Sequence, residues 1–129
     1  MNDTDFLIQI DEARSVHAAW VCAHDRGEPG GFPASDGDSE HCAFGKWIAE
    51  AGQDPAIRGT EPFNLVRWLH NEFHALAGEV AALPRPGRDD ARYDLLSRDL
   101  AATSHLLDRA LAAWRAEIVQ DEPVLLFGS

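Results

Sequence analysis

The chain has 129 residues, with 22 Asp and Glu against 11 Lys and Arg, giving a net charge of −11 when its six histidines are neutral. Hydrophobic residues make up 45% and charged ones 26%, ordinary globular proportions that exclude wholesale disorder, a collagen-like chain and a coiled-coil rod. So acidic a balance also removes the counterion-release route to nucleic acid, and no nucleic-acid partner is expected.

No stretch approaches the ~18 uninterrupted apolar residues of a membrane span, and the opening MNDTDFLIQIDEAR lacks the basic start and apolar run of a signal peptide. The expectation is one cytoplasmic domain over residues 1–129, long enough to bury a core without disulfides. Its two cysteines, Cys22 and Cys42, then read as free thiols or metal ligands rather than a structural disulfide.

Over residues 5–24, Phe6, Ile10, Ala13, His17, Trp20 and Val21 recur at spacings of three and four, which predicts an amphipathic helix with His17 on its inner face. Cys22, five residues beyond His17 and about 140° round that helix, faces elsewhere. Gly, Pro, Ser and Asp then crowd residues 25–38, which read as a surface loop.

A short helix is expected from about Glu40 to Ala51, capped by Asp38 or Ser39 and closed by Gly52, with Cys42 in its first turn. Unpaired backbone N–H groups and the helix dipole there favour thiolate, the form that binds metal. Gly45, one turn later, lets a neighbouring helix approach closely. A third helix starts near Thr60, Glu61 and Pro62 and runs to about Leu83, with Phe63, Val66, His70, Phe73, His74, Ala77 and Val80 on its inner stripe. The last helix runs from about Arg88–Asp90 to Val119 through Tyr93, Leu96, Leu100, Thr103, Leu107, Leu111, Trp114 and Ile118, while His105 faces water.

The fold expected is therefore all-α: an antiparallel four-helix bundle with a short additional or interrupted helix carrying Cys42. Residues 120–129 form a tail whose apolar stretch PVLLFGS either folds back on its own domain or docks on a partner.

His70 and His74, in HNEFH, stand four apart on one helical face, so both imidazoles can reach one ion. Asn71 stands where the general-base Glu of a zinc protease would follow the first His, so that chemistry has no base. With His17 from the first helix and Cys42 from the short one, three helices can bring three imidazoles and one sulfur to a point, the donor set of tetrahedral zinc. Four protein donors leave no position for an activated water, which argues against an enzyme. His24 and His41 are conceivable substitute ligands that read more simply as loop-facing neighbours, and Trp20, Phe44, Trp47 and Phe73 read as core that also keeps water from the metal. A hemerythrin-like di-iron bundle is the competing metal centre, but Val21 stands four after His17 where a bridging carboxylate would be needed. A bundle with incidental histidines, serving as a structural interaction module, is the other reading.

HAAW at 17–20, CAFGKW at 42–47 and HNEFH at 70–74 together resemble, in order and spacing, the pattern of the CZB domain, the chemoreceptor zinc-binding domain of bacteria. The resemblance implies that His17, Cys42, His70 and His74 ligate Zn²⁺ in a cytoplasmic four-helix bundle that forms a symmetric homodimer. Members of that family sit at the end of a chemoreceptor or beside a diguanylate cyclase and respond to zinc or to oxidants acting on the Cys ligand. No coiled-coil signalling hairpin or cyclase sequence is read here; the expectation is signalling through a partner protein of the chemotaxis or cyclic-di-GMP kind, with zinc storage, neither role, or a place within a longer protein as the alternatives.

Overall fold

The computed structural model describes residues 3–25, 42–83 and 91–121, and these are all-α, with no strand among them. Five helices follow one another: α1 (Asp3–Asp25), α2 (Ala43–Ala51), α3 (Pro55–Arg58), α4 (Glu61–Ala82) and α5 (Ala91–Asp121). The bulk of the loop read over 25–38, together with His41 and residues 122–129 of the tail, lies outside the described residues, as does the side chain of His24.

The stripe predicted for α4 is buried throughout, whereas those of α1 and α5 are buried in part, with Trp20, Val21, Tyr93, Leu96, Thr103 and Ile118 half-buried. Phe6, Ile10, Ala13 and His17 are buried on α1, and Leu100, Leu107, Leu111 and Trp114 on α5. On α4, Phe63, Val66, His70, Phe73, His74, Ala77 and Val80 are all buried, joined by Leu69 at the edge of the same face. Helix α4 packs along α5, α1 packs along α5, and the short α2 lies against α1. Burying one such large apolar side chain contributes about 1.5–3 kcal/mol, so these faces and not the surface charges hold the helices together.

The ends of the short elements are set locally. Asp54 caps α3 by accepting a hydrogen bond from the Ala56 N–H at 2.9 Å, and Pro55 occupies the first helical position, where its missing N–H costs nothing. Thr60 precedes α4 at the N-cap position without bonding the helix, because its hydroxyl donates to the Ile57 carbonyl at 2.7 Å instead. Gly52 closes α2 with ordinary right-handed backbone, so space and not torsion selects glycine: a Cβ there would stand 3.0 Å from Cζ of Phe63.

Away from the histidines, Phe6 meets Trp47 edge-on at 4.9 Å and Trp114 at 5.6 Å between ring centroids, and Phe63 meets Trp114 at 6.3 Å. The α1–α5 seam carries two ion pairs, Arg14–Asp108 at 2.7 Å and Arg115–Asp11 at 2.9 Å, so residue numbers rise along α1 as they fall along α5. All four side chains are substantially exposed, and pairs of this kind contribute at most about 1 kcal/mol each.

Candidate metal centre

His17 comes from α1, His70 and His74 from α4, and Cys42 stands immediately before α2, so three separate elements supply the cluster. One donor atom from each of the four residues lies within 4.8 Å of every other. The Nε2 atoms of His70 and His74 are 3.2 Å apart, and Cys42 Sγ is 3.7 Å from His17 Nε2. A tetrahedral zinc centre, with nitrogen at ~2.05 Å and sulfur at ~2.3 Å, has N···N edges of about 3.3 Å and N···S edges of about 3.6 Å. These two contacts match those edges. The donor set fits zinc in its chemistry, and its remaining donor–donor distances lie within 4.8 Å.

The three imidazoles are buried and the Cys42 side chain is half-buried. His17 Nδ1 lies 2.7 Å from the carbonyl oxygen of Ala13 and donates to it, which fixes the tautomer and leaves the Nε2 lone pair facing Cys42. Burial pushes His17 down to about 4; the Ala13 carbonyl opposes this and the nearby His74 adds to it. Burial likewise pushes His70 down to about 2, helped by His17 and His74. Both rings are therefore neutral at physiological pH, as a metal-binding imidazole must be.

Aromatic rings close the site. Trp20 meets the His17 ring edge-on at 5.2 Å, Phe73 meets it at 5.1 Å, and Phe44 meets His70 at 5.1 Å. Trp20 also stands 5.9 Å from His74. Trp47 lies in the core, as expected, where it meets Phe6 edge-on and Trp114 at 6.1 Å, and it backs Phe44 at 5.6 Å between ring centroids. Cys42 occupies the N-cap of α2 with extended backbone rather than a place in its first turn, because helical geometry begins only at Ala43. Gly45 is buried in α2, while Cys22 and His105 are exposed and outside the cluster, as their helical phase requires. The Ala13 carbonyl has no side-chain signal, although its place one helical turn before His17 marks it in retrospect.

Among the described residues no carboxylate joins the cluster, so a di-iron centre of the hemerythrin kind has no bridging ligand there. No helix is long and apolar enough to cross a membrane among those residues. No protein-family model matches the chain, and neither a characterised protein nor a solved structure does.

Proposed function

We propose that the chain is a zinc-binding regulatory module in which His17, Cys42, His70 and His74 hold one Zn²⁺. The observation that carries this reading is the convergence of three buried imidazoles and one thiol from three separate elements. Bound zinc supplies a redox-inert positive charge that ties α1, α2 and α4 together. The Ala13 carbonyl orients His17, and Trp20, Phe44 and Phe73 exclude water from the imidazoles. With four protein donors the centre is closed, and the role is binding rather than catalysis.

Cys42 is the donor most open to solvent, which supports a redox-responsive version of the same role. Its sulfur attacks a peroxide, takes one oxygen to become sulfenic acid and expels hydroxide; sulfur loses two electrons and the peroxide gains them. The product is a poorer metal donor than thiolate, so the clasp on α2 weakens and the helix surface offered to a partner changes. The resemblance of HAAW, CAFGKW and HNEFH to the chemoreceptor zinc-binding domain extends the reading to a cytoplasmic homodimer acting on a chemoreceptor-like or cyclase-like partner.

The test is elemental analysis of gently purified protein, followed by competition titration with a chromophoric zinc chelator, on the wild type and Cys42→Ala. About one zinc per chain, held at least about tenfold more weakly in the variant, is the expected result. No zinc in the wild type even after it is offered, or equal affinity in the two proteins, overturns the assignment.

A further inference from the structure

At the end of the bundle remote from the histidines, Phe6 of α1, Ile57 of α3 and Trp114 and Ile118 of α5 line an open groove of about 320 Å³, with Asp54, Ala56 and Thr60 at its edge. Phe6 and Trp114 are buried at its base, and Ile57 and Ile118 are half-buried. The polar groups at the edge are engaged locally: Asp54 accepts from the Ala56 N–H, and the Thr60 hydroxyl donates to the Ile57 carbonyl. Ile57 and Ile118 give the groove apolar walls over the buried Phe6 and Trp114.

Helix α5 ends at Asp121, one turn beyond Ile118. After Glu122 the sequence reads Pro123, Val124, Leu125, Leu126 and Phe127, five apolar residues without a charge in a chain that is 26% charged. Pro123 cannot continue a helical hydrogen-bond ladder, and residues 122–127 can span about 20 Å when extended, ample to turn back onto a groove whose wall is Ile118. We infer that this groove is the docking site of the chain's own segment Val124–Phe127, whose side chains cover Ile57, Trp114 and Ile118. Proximity decides between occupants: a tethered segment one turn from its site acts at an effective concentration in the millimolar range, which a free partner must exceed. The inference is independent of the metal centre.

The experiment is methyl-detected NMR on the full chain. Cross-peaks between the Ile57 and Ile118 methyls and those of Val124, Leu125 and Leu126 are expected. Leu126→Asp should remove them and shift the Ile57 and Ile118 methyls while helical circular dichroism stays unchanged. Absence of these cross-peaks in the wild type overturns the proposal. So does their appearance only between differently labelled chains in a mixed sample, which would assign the groove to a second copy. Unmoved Ile57 and Ile118 methyls in Leu126→Asp overturn it as well.

Discussion

The Nε2 atoms of His70 and His74 face each other at 3.2 Å in a pocket where both side chains are buried. At that distance a neutral ring with its proton on Nε2 donates to the Nε2 of the other, and where both rings carry their proton on Nδ1 the two lone pairs converge on one point that suits a cation. Burial keeps His70 neutral, the form in which an imidazole nitrogen can bind a metal ion.

Removing one of those rings should show this. His74→Ala is expected to weaken zinc binding at least about 100-fold, more than the 10–100-fold typical of losing a group that only orients a ligand. His105→Ala, on the exposed face of α5, should leave affinity unchanged. Competition titration of both variants checks the pair, and equal losses would point to general destabilisation instead.

Acid should destabilise the metal-free chain. Unfolded, His17 takes a proton near its ordinary 6.5, whereas in the fold it does so only near 4, so between those values the unfolded state binds more protons. The stability contributed by neutral His17 is complete above about pH 6.5 and is lost as pH falls toward 4, by a total on the order of 3 kcal/mol. His70 acts in the same direction, down to about 2. Urea midpoints of chelator-treated protein at about pH 7.5 and about pH 5 should differ, with the lower midpoint at the lower pH. His17→Phe should flatten the difference.

Metal removal should be visible through Trp20, which stands edge-on to both His17 and His74. Chelation is expected to lower Tm and change tryptophan fluorescence together, and added zinc should restore both. In a Trp20→Phe protein the change in Tm should persist while much of the fluorescence change disappears.

Much of this was legible in the sequence because a buried helical face imposes its period. The stripe from Phe63 to Val80 puts its two histidines into the core along with the phenylalanines around them, and their phase alone brings them toward His17. The four residues of α3 were not legible by the same rule, being too few to show a period. Asp54 followed by Pro55 is the capping signal that could have found them. Trp47 was legible as core, but a position on α2 fixes a face of α2, not the neighbour that meets it: Phe44 turns to His70, while Trp47, one turn on, reaches Phe6 and Trp114. The end of α2 shows the same limit, since the contact between Gly52 and Phe63 is set by packing between α2 and α4.

That contact gives a further prediction. Gly52→Ala places a Cβ 3.0 Å from the buried Phe63 ring and should cost about 1–3 kcal/mol, despite the better helix propensity of alanine. Arg14→Ala, which breaks an exposed ion pair, should cost less than about 1 kcal/mol. Urea denaturation of the two variants side by side checks the ranking, and the reverse order would mean that surface charge and not packing dominates the seams.

The most direct measurement is X-ray absorption at the zinc edge of the stoichiometrically loaded wild-type protein. Three nitrogen donors at about 2.0–2.1 Å and one sulfur at about 2.3 Å are expected, with the sulfur missing in Cys42→Ala. A first shell made of oxygen, or one that keeps its sulfur when Cys42 is replaced, would contradict the assignment of His17, Cys42, His70 and His74 as the metal centre.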